Sequence, residues 1–290
     1  MSPTRPLAGL RYGLIGPGRV GSSLAAWIAV RGGRLQVWER RSDDVPRTPG
    51  AGAIRPFSRR NRRDLAEIRS EPLDLLLLCV PDWEVAGLAG SLGSVEARVA
   101  LHVSGSLTAE VLAPLRGRGA TIGSFHPLWA FSGRVAKPPQ GLTVGVDGDP
   151  AAIAMSRLLA DAFGAVAVEI PGESRLIYHL AATLAAGGVA TVAATAAALA
   201  RAQGLPEALG EGFRALARSA LAGLASPRLD RGFTGPVARG DADLVRAEWH
   251  ELARFPEFEP LVRELARAMI RRLEEGSGTL PGHREIDRFS

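Results

Sequence analysis

The chain has 290 residues, 46% of them hydrophobic and 22% charged, which fits a folded protein with room for two domains and excludes a disordered one. Its net charge of +5 rests on arginines scattered through both halves, with Lys137 the only lysine, so it reflects a compositional bias rather than a designed phosphate-binding face. A single cysteine, Cys79, excludes an internal disulfide framework, and the lack of a recognisable signal-peptide pattern predicts a cytoplasmic protein.

The predicted elements begin with a short strand, Tyr12–Ile15, that runs into Gly16-Pro17-Gly18-Arg19-Val20-Gly21 and a helix over Val20–Val30. A G-x-G-x-x-G turn placed after a strand and before a helix lets backbone amides approach a dinucleotide diphosphate at the helix N-terminus. A second strand, Leu35–Trp38, is followed by Glu39, Arg40, Arg41 and Ser42. An acid at this point binds the ribose hydroxyls of NAD, whereas arginine and serine hold the 2′-phosphate of NADP. The two arginines and the serine favour NADP, while Glu39 keeps NAD open. The arginine-rich stretch Arg55 to Arg69 reads first as a solvated segment, second as a cofactor-phosphate contact and last as a nucleic-acid site.

Further strands are expected over Leu73–Val80, Val99–Val103, Thr121–Phe125, Leu142–Val146 and Ala165–Ile170, with helices over Trp83–Leu92, Thr108–Leu115 and Pro150–Phe163. This alternation, with the unbroken apolar run LDLLLLCV, predicts an α/β fold: a doubly wound, mostly parallel Rossmann-like sheet covered on both faces. Cys79 belongs to that run as a buried strand residue. Strand signals stop after Pro171, and helices are expected over Glu173–Gln203, Pro206–Ala225, Asp241–Arg254 and Pro256–Glu275. The expected division is a dinucleotide-binding domain over residues 1–170 and an all-helical substrate and dimerisation domain over 171–290, loosely held beyond Gly276. Leu180 to Ala200 carries no charge, and its alanines, threonines and glycines fit a helix buried in the protein or a homodimer better than a membrane span.

Ligands of open parallel sheets sit at the carboxyl ends of the strands, which draws attention to His102-Val103-Ser104-Gly105-Ser106 and to Phe125-His126-Pro127-Leu128. Histidine titrates near neutrality and suits proton donation to a carbonyl or imine. Arg175 and His179 lie four apart, on one face of the long helix at its start. No H-x-x-x-H or acidic partner gives metal spacing, so no metal is expected, and no G-x-S-x-G elbow activates a nucleophile.

Taken in order, GPGRVG, CVPD, HVSGS, GSFHPL, RLIYHLAA and FTGPVARGD resemble a bacterial family that joins a Rossmann-like NADP-binding domain to a helical C-terminal domain of unknown function. That family is distantly similar to pyrroline-5-carboxylate reductase, ketopantoate reductase and the β-hydroxyacid dehydrogenases, and the resemblance covers about Arg11 to Leu252. It implies that Gly16, Pro17, Gly18, Arg19, Val20 and Gly21 bind the diphosphate and that Arg40 meets the 2′-phosphate. It also implies that Val80 and Pro81 lie against the nicotinamide half and that the helical domain makes a homodimer. The implied activity is hydride transfer from NADPH to the C=O or C=N of a small carboxylate-bearing metabolite, such as a 2-keto acid or a cyclic imine. His179 would be the general acid, His126 and Ser104 would orient the substrate, and Arg175 would pair with its carboxylate. The chain departs from the relatives in carrying Arg175 where they place a catalytic lysine, and Gly187-Gly188 where many family members have serine-asparagine. These departures leave open a second reading, a non-catalytic NADP-binding sensor.

Overall fold

The computed structural model describes residues 7–40, 54–57, 72–92, 95–223, 233–278 and 280–289, with the backbone alone described at 39–40, 54–57 and 276–277. It divides into two compact units, Met1–Thr183 and Leu184–Ser290. The helix that opens with Arg175, expected to begin the helical domain, therefore belongs to the first unit through Thr183.

That unit is built on an eight-stranded sheet of order β3-β2-β1-β4-β5-β6-β7-β8. Its strands are β1 (Arg11–Ile15), β2 (Arg34–Arg40), β3 (Ile54–Phe57), β4 (Leu73–Leu78), β5 (Ala97–His102), β6 (Thr121–Pro127), β7 (Thr143–Gly148) and β8 (Val166–Glu169). The first six are parallel in the doubly wound order that places a ligand crevice where β1 and β4 diverge. Side chains alternate across a strand, so Leu75 and Leu77 of β4 join one core with Tyr12, Leu14 and Trp27, while Leu76 and Leu78 join another with Ile15, Val85 and Leu88. The apolar run in the sequence is the direct result of this two-sided burial.

Helix α1 (Arg19–Val30) covers one face and α2 (Asp82–Ser91) the other. Helix α3 (Ala113–Arg116) is a single turn that follows a 3₁₀ turn at Ala109–Leu112, where a longer helix was expected. β7 runs antiparallel to β6, pairing Gly145 with His126. A parallel return needs a crossover of a dozen or more residues, usually helical, and the β6–β7 connection carries no helix. Helix α4 (Pro150–Phe163) then returns the chain to β8, with the Phe163 and Trp27 rings in a T-shaped pair, centroids 5.3 Å apart. β3 was not anticipated, because Pro56 and the surrounding arginines mask its pattern. Helix α5 (Arg175–Thr183) ends the unit.

The second unit contains α6 (Val189–Ala202), α7 (Leu209–Gly223), α8 (Gly235–Arg239), α9 (Ala242–Leu252), α10 (Glu259–Ser277) and α11 (Pro281–Phe289). Its core gathers Val245, Trp249, Leu252, Ile270 and Ile286. The GPVARGD segment forms α8 and the start of α9. Gly240 adopts the left-handed conformation (φ 68°), and Asp241 caps α9 by accepting from the Leu244 amide at 3.3 Å. A Cβ on Gly282 would collide with the Gly240 carbonyl, so these glycines let α11 pack against α8. The tail expected to be loose is instead this helix, with His283 and Ile286 buried.

The expected continuous helix Glu173–Gln203 is interrupted. Leu184–Gly188 winds as a π turn at the Gly187-Gly188 pair, before α6 resumes. The uncharged stretch is largely exposed within the chain: none of the most apolar 18-residue window of Gly172–Ala202, a helix long enough to cross a membrane, is buried. In the second unit α7 buries no side chain and α6 only Ala200.

Candidate active site

The glycine turn closes as its spacing demands. Gly16 has φ 90°, and a Cβ there would lie 2.6 Å from the Cys79 carbonyl oxygen. A Cβ on Gly21 would strike the Gly16 carbonyl, so this glycine seats α1 against β1. Gly18 is different, since a Cβ there meets nothing within 4 Å. Its value is therefore the open space above it, which suits a diphosphate. Gly18 is also the N-cap of α1, where no side chain caps the helix and no acid occupies the first turn. The exposed Arg19 follows it. Gly16, Pro17, Gly18, Arg19, Val20 and Gly21 thus present a helix N-terminus fit for an anion.

Val80 and Pro81 follow β4, with a methyl of Val80 3.0 Å from where a Gly16 Cβ would stand. The neighbouring Cys79, expected as a buried strand residue, stands just past the end of β4 and is only half-buried; desolvation raises its thiol pKa, which disfavours the thiolate a nucleophile needs. Arg41 and Ser42 lie outside the described residues, as does most of Arg55 to Arg69, and Arg40 is described only as the last backbone position of β2.

At the end of β5, His102 is fully buried. Its Nε2 pairs with the Thr108 carbonyl at 3.1 Å, and its Nδ1 accepts from the Ser104 amide at 3.2 Å, an arrangement that fixes the proton on Nε2. Desolvation, then the nearby Arg175 charge, pushes its pKa down to about 4. His102 therefore serves as a neutral brace for the serine turn. The Ser104 hydroxyl is saturated: it donates to the Asp82 carboxylate at 2.7 Å and accepts from the Ser106 and Leu107 amides, both at 3.1 Å. Ser104 thus holds the turn together and has no hydrogen-bonding capacity left for a substrate. Its neighbour Ser106 donates to the same Asp82 oxygen at 2.6 Å and remains partly exposed.

Beyond this turn lie both remaining candidate histidines. A Cβ on Gly105 would stand 2.7 Å from Cδ2 of His179 and 2.8 Å from Cε1 of His126, so the bare backbone here is the floor between two imidazoles. The ring centroids of His126 and His179 are 6.3 Å apart. His126 Nδ1 lies 2.7 Å from the Tyr178 hydroxyl, which itself lies close above Gly145 of β7. Burial, followed by the charge of Arg175, lowers His126 to about 4, and burial raises Tyr178. His126 is accordingly neutral at pH 7 and Tyr178 protonated. With Tyr178 donating to Nδ1, the His126 proton sits on Nε2, on the side of Gly105.

Arg175 corrects an expectation. It is fully buried, donating to the Ser124 hydroxyl at 2.8 Å and the Ser104 carbonyl at 2.7 Å, while its Nε has no partner. Desolvation lowers its pKa. A guanidinium committed in this way ties α5 to the ends of β5 and β6 and does not face a substrate carboxylate. Among the described residues, no group of three or more His, Cys, Asp or Glu is arranged to hold a metal.

The structure thus brings together His126, His179 and the Ser104 turn on the carboxyl edge that also carries the glycine turn. Sequence reasoning missed Asp82, Gly105 and Ser106 as partners, and noted Tyr178 without a role. The available signal for Asp82 was its position as the first residue of a helix directly after a strand. The Tyr178–His126 contact spans 52 residues and had no local signature.

Residues 3–127 match the family model of a Rossmann-like domain, and residues 142–269 match that of a Domain of unknown function (DUF2520). No curated protein gives a significant sequence match. Among solved structures, the chain is similar to protein BF3122 from Bacteroides fragilis, named as a candidate NADP oxidoreductase, with TM-score 0.71 and 20% identity over 90% of this chain and 97% of that one. It is also similar to protein TM1727 from Thermotoga maritima, with TM-score 0.69 and 21% identity over 91% and 98%. Plasmodium falciparum pyrroline carboxylate reductase, solved with NADP bound, gives TM-score 0.56 and 14% identity over 93% and 100%. At these identities the likeness is one of fold, and it agrees with the resemblance drawn from the motifs. The chain therefore carries a Rossmann-like domain followed by the domain of unknown function DUF2520.

Proposed function

We propose that the protein is an NADP-dependent oxidoreductase acting on the C=O or C=N bond of a small metabolite, with NAD as the alternative cofactor. The observation that carries this reading is the Gly105 floor, where two imidazoles converge on the same sheet edge as an uncapped glycine turn with open space above Gly18. A nicotinamide cofactor held by Gly16 to Gly21, Val80 and Pro81 would supply the hydride. His126, neutral and protonated on Nε2, donates a hydrogen bond to the oxygen or nitrogen of the bond being reduced. Tyr178 is a positioning residue that fixes this tautomer through Nδ1. His179, half-buried, is the general acid that delivers the proton. Support for a carboxylate on the substrate weakens, because Arg175 is spent inside the fold.

The second copy of a homodimer is proposed to cover the bare helical faces. In the second unit, a groove of about 710 Å³ is lined almost wholly by apolar groups, including Val192, Phe213, Leu216 and Leu265. In the first, α5 exposes Leu176, Ile177 and Leu180. Apolar surfaces of this extent are costly to leave in water, and a second copy presents the same uncharged face to cover them.

The test is NADPH oxidation against 2-keto acids, ketones and cyclic imines, alongside NADPH titration. Turnover of at least one class, lost on Tyr178→Phe with NADPH affinity intact, supports the reading. Tight NADPH binding with no turnover of any class would replace it with the sensor reading.

A further inference from the structure

We infer that Asp82 and Ser106 form a receptor for a cationic N–H group on the substrate, which makes the substrate an amine-bearing compound rather than a carboxylate. The inference rests on the reductase reading and names its substrate class. Both serine hydroxyl protons of the turn are committed to one oxygen of Asp82, Ser104 at 2.7 Å and Ser106 at 2.6 Å. The hydrogen-bonding capacity this cluster has left is then acceptor only: the other carboxylate oxygen and the lone pairs of Ser106. Asp82 is exposed and, among the described residues, no cation forms an ion pair with it. Arg175, whose charge is coupled to Asp82, is buried with both terminal nitrogens occupied by Ser124 and Ser104. Both strand-end histidines that sense the Asp82 charge are held neutral. On the Ser106 side of Gly105, away from the proton-donating His179, the accessible charge is therefore the Asp82 carboxylate, and a ligand bearing N–H donors and a positive charge completes it. Ser106 directly follows the Gly105 floor in the chain, so the nitrogen would sit next to the bond under reduction.

The nitrogen could be the reacting iminium or a neighbouring ammonium, and the same N–H chemistry is offered by the cofactor's own carboxamide. The experiment uses the full chain saturated with NADP+, and titrates pyrrolidine against its neutral isostere tetrahydrofuran at pH 7, read by quenching of the exposed Trp83 and Trp129. Pyrrolidine is expected to bind about tenfold or more tighter, as a charge-assisted hydrogen bond allows. Asp82→Asn keeps an oxygen for the two serines but turns an amide N–H outward, and should erase the preference; Ser106→Ala should reduce it. Unfolding midpoints of both variants confirm that they are folded. Turnover of 1-pyrroline in preference to aminoacetone assigns the reacting iminium, and the reverse assigns the ammonium. Equal binding of the two isosteres, or a preference that survives Asp82→Asn, overturns the inference while leaving NADPH-dependent turnover of neutral ketones intact. Loss of NADP+ binding in Asp82→Asn would place the acceptors on the cofactor and also overturn it.

Discussion

Gly105→Ala separates function from fold. The residue does not adopt a positive φ, so alanine brings no backbone strain. The new methyl would instead stand 2.7 Å from His179 Cδ2 and 2.8 Å and 2.9 Å from Cε1 and Nε2 of His126. Carbon contacts settle near 3.5–4.0 Å, so one or both rings must retreat by roughly 1 Å. Overpacking of this kind costs about 1–3 kcal/mol of stability, and a misplacement of about 1 Å at reacting groups costs on the order of 100-fold in rate. The variant should therefore remain folded in a urea titration, bind NADPH as the parent does, and lose about two orders of magnitude in kcat/KM with any substrate the parent turns over. Histidine ¹⁵N spectra should show both imidazole environments displaced. A variant with parental rate and unshifted His126 and His179 signals would refute the placement of the reacting centre over Gly105.

Gly18→Ala makes the opposite demand: with nothing within 4 Å of the new methyl, the fold should be unaffected, yet NADPH affinity by fluorescence titration should fall about tenfold or more because the diphosphate loses its approach. Gly16→Ala, strained at φ 90° and 2.6 Å from the Cys79 carbonyl oxygen, should lower the unfolding midpoint first. His102 titrates near 6.5 when unfolded but near 4 in the fold, so the unfolded state binds more protons between those values and stability rises with pH across them. Acidification from pH 6.5 to pH 4 should cost about 3 kcal/mol from this residue, measured by urea unfolding, and His102→Gln should flatten that slope. Leu216→Glu, within the apolar groove of α7, should convert a dimer to a monomer in light scattering. A parent that is already monomeric, or that is recovered only with membranes, would dismiss the second copy.

The first half of the fold was legible because its physics is local. Two-sided burial writes continuous apolar runs such as LDLLLL, and the glycine turn must bend, admit a ligand and seat a helix within six residues. β3 was not legible, since a short edge strand carrying Pro56 lacks the pattern of a central one. Nor was the reversal of β7, which depends on a missing crossover helix and not on the composition of the strand. The interruption at Gly187-Gly188 was noticed as a compositional departure, whereas its π geometry is a property of the whole helix. At the site, His126 and His179 were readable because few residues titrate near neutrality and both stand beside element ends. Arg175 misled because sequence shows a charge but not its burial, and here the guanidinium is enclosed by Ser124 and the Ser104 carbonyl. Asp82 stayed hidden because its meaning lies in Ser104 and Ser106, which reach it across 22 and 24 residues.

Hydride transfer itself is the most direct test. The protein incubated with NADPH deuterated at C4, in separate preparations for each face, should deliver one deuterium to the reduced carbon of a ketone or cyclic imine, from one face only, as read by mass spectrometry. His179→Ala should slow that transfer at unchanged NADPH affinity. NADPH bound tightly but returned with its deuterium intact, across every carbonyl and imine offered, would contradict the account.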